Sequence, residues 1–228
     1  MTDPSTRPTT DALLRPRASV ALAARRALRR AVDRLDELAF PEAASAAEHW
    51  QRAAMDAAVE AHVATLPVPE LRAAEVAGDA RGDLGWRSHR SLSHPPFDLL
   101  EPVPDDLRFD VVFCEQVLEH VHDPFLAARH LHDLLEPGGH LVVTSPFLVK
   151  VHELPMYGMH DYWRFTPRGL RTLLEAAGLE VDHVDGWGNR MCVVGNLRRW
   201  ARHERWHPMS DEPDIPVQLW AFARRPGG

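Results

Sequence analysis

This chain of 228 residues contains one lysine, Lys150, two cysteines and two tyrosines. So few cysteines exclude a disulfide framework, and Cys114 and Cys192 read as small hydrophobes. No apolar run approaches the roughly 20 residues that a membrane span requires, so no membrane partner is expected. Arg25 and Arg26 interrupt the one early apolar run, Val20 to Ala24. That excludes a good secretory signal and makes the cytoplasm the expected compartment. The scarcity of lysine beside abundant arginine, alanine and proline suggests a GC-rich bacterial genome and says nothing about activity. The net charge of −7 argues against nucleic acid as a partner.

The most informative stretch is Phe109 to Phe147. Val111-Val112-Phe113-Cys114 is short and β-branched enough to be a buried strand, and Glu115-Gln116 ends it. Asp123 caps a helix with Pro124 at its first position. Phe125, Ala128, Leu131 and Leu135 then recur at helical spacing. Pro137-Gly138-Gly139 is expected to end that helix and turn the chain into a second buried strand, Leu141 to Val143. Strand, loop, helix, turn and strand make a βαβ unit, whose crossover is right-handed. Ligands of open α/β sheets sit beyond the carboxyl ends of the strands, here Glu115 to His120 and Ser145 to Lys150.

Around this unit, residues 1–11 are expected to form a disordered tail, and residues 12–66 an N-terminal helical cap. Leu13 to Phe40 reads as a helix bearing Arg25, Arg26, Arg29, Arg30 and Arg34, chiefly as a solvated face. Ser45 to Glu48 resembles a capping box for a second helix through about Ala64. Pro67-Val68-Pro69 opens the main domain, 67–228. Leu71 to Gly78 occupies a first strand and its turn, and Trp86 to Leu92 reads as a second strand. Gly78 and Phe109 lie 31 positions apart. One βαβ unit takes roughly 30 residues, so the interval is too short for two helices and two further strands, and in such an arrangement one or both helices would be missing or reduced to turns. Thr166-Pro167 caps a helix over 168–177, closed by Gly178. Glu180 to Val184 reads as a strand, 190–207 as an inserted helix, and Val217 to Ala223 as the last strand.

FDVVFCEQVLEHVHDP, LLEPGGHLVVTSPF and DYWRFTPRGL, in that order, closely resemble class I S-adenosylmethionine (SAM)-dependent methyltransferases of a small-molecule-modifying, type 11-like branch. The resemblance runs from about Leu71 to the C-terminus. It implies an α/β, Rossmann-like three-layer sandwich, mostly parallel, with an antiparallel last strand, shortened before the fourth strand and carrying N-terminal helices. Such helices often cover the substrate mouth, where His49 and Trp50 would lie, with core packing the better expectation for Trp50. The resemblance further implies SAM as methyl donor, held by Glu75, Gly78, Asp98, Glu115, Gln116 and Glu119. Asp79-Ala80-Arg81-Gly82 departs from the family's glycine-rich turn. Asp98 can equally be a turn-capping aspartate.

Methyl transfer from a sulfonium is an in-line displacement needing alignment and, for a hydroxyl or protonated amine, removal of a proton. Histidine is the natural base at neutral pH, which makes His120, His152 and His160 the candidates. Tyr157, Asp161, Tyr162, Trp163 and Arg164 are candidate substrate contacts, although the last four can equally brace a lid. The histidine and acid spacing matches no zinc pattern, so no metal is expected. The resulting expectation is methylation of an oxygen or nitrogen of a small metabolite, in secondary-metabolite or glycan tailoring, with a homodimer among the allowed assemblies. The alternatives are a degenerate binding protein that does not methylate and a SAM-independent acid–base enzyme on the same fold.

Overall fold

The computed structural model describes residues 49–153, 158–198 and 200–228, together with helical positions 20, 21, 23–25, 27, 28 and 31. The chain divides into two compact units, Met1–Ala47 and Glu48–Gly228. The expected tail, most of the arginine-bearing helix, the Ser45–Glu48 capping box and Tyr157 lie outside the described residues.

The second unit is built on a six-stranded sheet in the order β2-β1-β3-β4-β6-β5. Its strands are β1 (Arg72–Val76), β2 (Ser88–Leu92), β3 (Phe109–Glu115), β4 (Leu135–Pro146), β5 (Glu180–Trp187) and β6 (Gln218–Arg224). β1 pairs in parallel with β2 and β3, and β3 with β4, whereas β6 lies antiparallel between β4 and β5. Alternation along β3 separates two cores. Val112 and Cys114 face helices α2 (Pro124–Asp133) and α3 (Pro167–Ala176), while Val111 and Phe113 face α1 (Trp50–Val63) and α4 (Arg190–Arg198). This is the three-layer sandwich expected from the resemblance. Trp50 is buried in the second core and stacks on His207 at 4.0 Å.

The compression between Gly78 and Phe109 is complete. Neither connection, β1 to β2 nor β2 to β3, contains an α-helix, and a single 3₁₀ turn, Gly82–Leu84, stands in the first. In their place α1, which precedes the sheet, packs Met55, Val59 and Val63 against Ala73, Trp86 and Phe113.

Caps form where their chemistry predicts. The Asp123 side chain accepts the Leu126 N–H at 2.9 Å and Thr166 Oγ1 accepts the Gly169 N–H at 3.0 Å. The Pro137-Gly138-Gly139 turn differs from expectation. α2 has already ended at Asp133, and β4 begins at Leu135, before the glycines. The Phe109 N–H bonds the Leu134 carbonyl, and Leu135 pairs with Phe109, so the chain enters the sheet directly from the helix. The glycines then form a bulge where the β3–β4 register shifts, and Gly138 adopts φ +81°. A Cβ on Gly139 would stand 2.9 Å from the Glu136 carbonyl oxygen and 3.2 Å from those of Asp110 and Phe109. Gly139→Ala is therefore expected to cost about 1–3 kcal/mol of stability, read from the denaturant midpoint.

The expected helix over 190–207 is shorter, ending at Arg198. The chain departs because the Trp50 N–H donates to the Ala201 carbonyl at 2.7 Å and Arg202 pairs with His49. These tertiary pairings override helix propensity. β5 likewise runs on to Trp187, past the expected exit, because Gly186 and Trp187 pair with Leu219 and Gln218 of β6.

Candidate active site

Strand order reverses between β1 and β3, which makes their carboxyl ends the topological switch point. Glu75, near the end of β1, is buried, and its carboxylate accepts the N–H groups of Ala80 at 3.1 Å and Arg81 at 2.9 Å. That bond pattern curls the following turn, with Ala77 at φ +57°. A Cβ on Gly78 would stand 2.1 Å from Glu75 Oε1, so a side chain there would displace the buried carboxylate that organises the turn. Glu115, at the end of β3, faces it from the neighbouring strand.

Arg81 enters this crevice from the same turn. Its guanidinium bonds both oxygens of Glu115 at 3.0 Å and Asp56 Oδ1 of α1 at 2.9 Å. Burial raises the Glu115 carboxyl above the usual range and Arg81 opposes that shift. The donor set thus suits a cationic group, with Arg81 as the stand-in. Two carboxylates beside a glycine turn are the chemistry that an ammonium-bearing ligand, such as the amino-acid portion of SAM, would need there. Asp98 lies after β2 but spends Oδ1 on the Leu100 N–H at 2.9 Å, as a turn-capping aspartate does. β2 ends in Leu92, with no acid at its tip.

The second half of the site is a cavity of about 250 Å³ beyond the ends of β3, β4 and β6. Gln116, at φ +57°, forms part of its wall and is fixed by bonds of 3.0 Å to Thr144 Oγ1 and Gln218 Oε1. His120 and His152 both line it, their rings edge to face at 5.0 Å. Trp200 packs its ring on His152 at 5.5 Å and His49 at 5.6 Å, closing one side.

Each of these two histidines is oriented through Nδ1. That of His120 donates to the His160 carbonyl at 2.6 Å, and that of His152 lies 3.2 Å from Asp161 Oδ2. Asp161 has no exposed side-chain surface and also accepts the His152 N–H at 2.8 Å and a two-pronged Arg164 contact, Nη2 to Oδ2 at 2.6 Å. Burial would raise its pKa, but Arg164 and the His152 amide outweigh burial and keep it ionised. Burial lowers the His152 pKa, with Asp161 pulling it back up. With its pKa held below the ordinary histidine value, His152 is neutral near pH 7.

Glu119 joins this cavity group rather than the β1–β3 crevice. It is fully buried, its ligand atom lies within 4.8 Å of one from each of His120 and His152, and burial pushes its pKa up to about 8. Ser145 donates to Oε2 at 3.4 Å, whereas Oε1 has no hydrogen-bond partner among the described residues.

The remaining candidates brace this arrangement. The Tyr162 and Trp163 N–H groups donate to the Glu119 carbonyl at 2.7 and 3.3 Å, and Trp163 Nε1 to the Val121 carbonyl at 2.9 Å. The side chains of Tyr162 and Trp163 are exposed, as is His160, whose ring lies beside Tyr162. Arg81, Asp56, Gln218 and Trp200 are site residues that sequence reasoning did not select. A bulky cation where the family's turn carries glycine was the available signal for Arg81.

A family model described as a methyltransferase domain matches residues 20–184. The ubiquinone biosynthesis O-methyltransferase of Pseudomonas syringae pv. tomato is 33% identical over 105 residues, covering 39% of this chain and 43% of that protein. The corresponding protein of Neisseria meningitidis serogroup C is also 33% identical over 105 residues, covering 39% of this chain and 42% of its own. The chain thus spans under half the length of these curated relatives. Among solved structures, the [4+2]-cyclase SpnF superposes with a TM-score of 0.53 at 18% identity, over 86% of this chain and 96% of that one, a likeness of fold. No helix among the described residues is long and apolar enough to cross a membrane. The matched domain, the sheet order with its antiparallel β6 and the crevice at the β1–β3 switch point agree: this chain belongs to the class I SAM-dependent methyltransferases, whose methyl donor is S-adenosylmethionine.

Proposed function

We propose that this protein transfers the methyl group of SAM to an oxygen or nitrogen of a small metabolite bound in the cavity lined by His120 and His152. The observation that carries the reading is the His152–Asp161 pair, an imidazole with one nitrogen fixed by a buried carboxylate and the other left for the cavity. SAM, when bound, supplies an electrophilic methyl on a positively charged sulfur. Glu115, Asp56 and the Gly78 turn would hold its amino-acid portion, its ammonium taking the place of the Arg81 guanidinium on the two acids. Gln116 and Gln218 form polar wall on the cavity side. His152 takes the proton of the acceptor hydroxyl or amine through Nε2, while Asp161 stabilises the imidazolium that forms. His120, held by the His160 carbonyl, aligns the acceptor. Trp200 closes one side of the cavity against water, which would otherwise compete with the acceptor for the methyl group.

A cavity of about 250 Å³ suits one small ring or sugar-sized group, consistent with tailoring of a secondary metabolite or glycan rather than of nucleic acid. The cytoplasm and a homodimer belong to the same reading. The test is incubation with methyl-labelled SAM and a panel of phenols, catechols, amino sugars and small amines. Label in an acceptor with equimolar S-adenosylhomocysteine supports transfer, and hydrolysis-level background across the panel counts against it.

A second reading draws on Arg81. Because its guanidinium already satisfies Glu115 and Asp56, the fold can also serve a protein that binds a metabolite and transfers no methyl group. Saturable metabolite binding with neither turnover nor S-adenosylhomocysteine would favour it, whereas consumption of the metabolite without S-adenosylhomocysteine would favour a SAM-independent acid–base enzyme on this fold.

A further inference from the structure

We propose that Glu119, His120 and His152 form a binding site for a divalent transition-metal ion of the zinc class. Linear spacing hides this group, because His152 comes from the loop after β4 whereas Glu119 and His120 share the 3₁₀ turn after β3. In space, one donor atom from each of the three lies within 4.8 Å of the others. His120 Nε2 stands 3.9 Å from Glu119 Oε1. Two donors on one tetrahedral zinc stand about 3.3 Å apart, so this pair would close by about 0.6 Å and the widest of the three by at most about 1.5 Å when an ion binds.

Three features support the assignment. Glu119 Oε1 is fully buried yet has no hydrogen-bond partner among the described residues, the condition that a cation relieves. Two histidines and one glutamate are an established zinc donor set that leaves a position open. Both histidines also carry the outer contact that metal-ligating imidazoles use. The His160 carbonyl accepts from His120 Nδ1, and the Asp161 carboxylate faces His152 Nδ1. Arg164 Nη2 also lies 3.4 Å from His152 Nδ1, a longer contact than that of Asp161. Each Nε2 lone pair is thereby left to the cavity.

The inference rests on the same cavity being the acceptor site and changes how it is used. With an ion bound, His152 would be a ligand in place of the base: the open position would take the acceptor's oxygen or nitrogen, and the cation would lower that group's pKa so that its proton passes to solvent before methyl transfer.

The test is titration of the full chain, first stripped with chelator, with cobalt(II) as probe, read by its visible d–d absorption. The expected result is one ion per chain with the spectrum of a four- or five-coordinate centre. Glu119→Gln and His120→Ala should each weaken binding more than tenfold, and Asp161→Asn, which alters only the outer contact, by about 10–100-fold. His122→Ala, an exposed histidine outside the group, should leave binding unchanged. No saturable binding to the folded chain would overturn the site, as would binding that survives both Glu119→Gln and His120→Ala. Because the readout is spectroscopic, a folded chain that methylates yet takes up no cobalt(II) refutes this inference alone. A metal-binding chain that never forms S-adenosylhomocysteine refutes the transferase reading alone.

Discussion

Replacement of His152 by alanine is expected to lower kcat for methyl transfer by about 10²–10⁴-fold, the usual contribution of a positioned acid–base group, while binding of S-adenosylhomocysteine stays within error of wild type. His152 reaches the acceptor cavity but not the Glu115–Asp56 crevice, where Arg81 makes its bonds. Rate and donor affinity should therefore separate. His160→Ala discriminates between the histidines. The exposed His160 ring contributes nothing to the cavity, since the residue serves through its main-chain carbonyl, and its replacement should alter kcat by less than about threefold. Single-turnover rates with saturating donor decide the matter. A His152→Ala enzyme at wild-type rate removes that residue from the chemistry.

Arg81→Ala is expected to act on both stability and donor binding. Removing one partner of a buried ion pair costs about 3–5 kcal/mol. Asp56 is 35% exposed and water relieves part of that charge, so a loss of about 2–3 kcal/mol is expected here. The same change frees Glu115 and Asp56 for an incoming ammonium. Affinity for S-adenosylhomocysteine should then rise about tenfold, equivalent to about 1.4 kcal/mol, and the ligand should raise the variant's Tm more than that of wild type. Unchanged apo stability would show that the Arg81 pairs contribute nothing, and weakened binding would show that Arg81 holds the ligand's carboxylate instead.

The parts of this molecule written in local sequence were legible. Asp123-Pro124 and Thr166-Pro167 specify helix starts by side-chain chemistry that needs no distant partner, and both caps form. The Val111–Cys114 run reads as a buried strand because both its faces are covered, and the shortage of residues before Phe109 reveals the lost helices. Features set by tertiary contact were not legible. The end of α4 depends on Ala201 and Arg202 meeting Trp50 and His49, which no window around Arg198 contains. The Gly138-Gly139 bulge resembles a helix stop because glycine suits both, and only the pairing of Leu135 with Phe109 separates them. In the site, the individual histidines could be named, but the convergence of His152 with Glu119 could not, since loop paths and not spacing bring them together. Arg81 sits in a turn whose erosion was visible, yet its partner Asp56 lies on a helix that precedes the sheet.

The most direct test of the transferase reading is calorimetric titration of the folded wild-type chain with S-adenosylhomocysteine. One site per chain with a Kd of about 1 μM or tighter, or about −8 kcal/mol, is the result expected if the crevice between β1 and β3 accepts the donor when Arg81 gives way. Absence of heat and of any Tm shift at millimolar ligand would contradict it and leave a methyltransferase fold that transfers no methyl group.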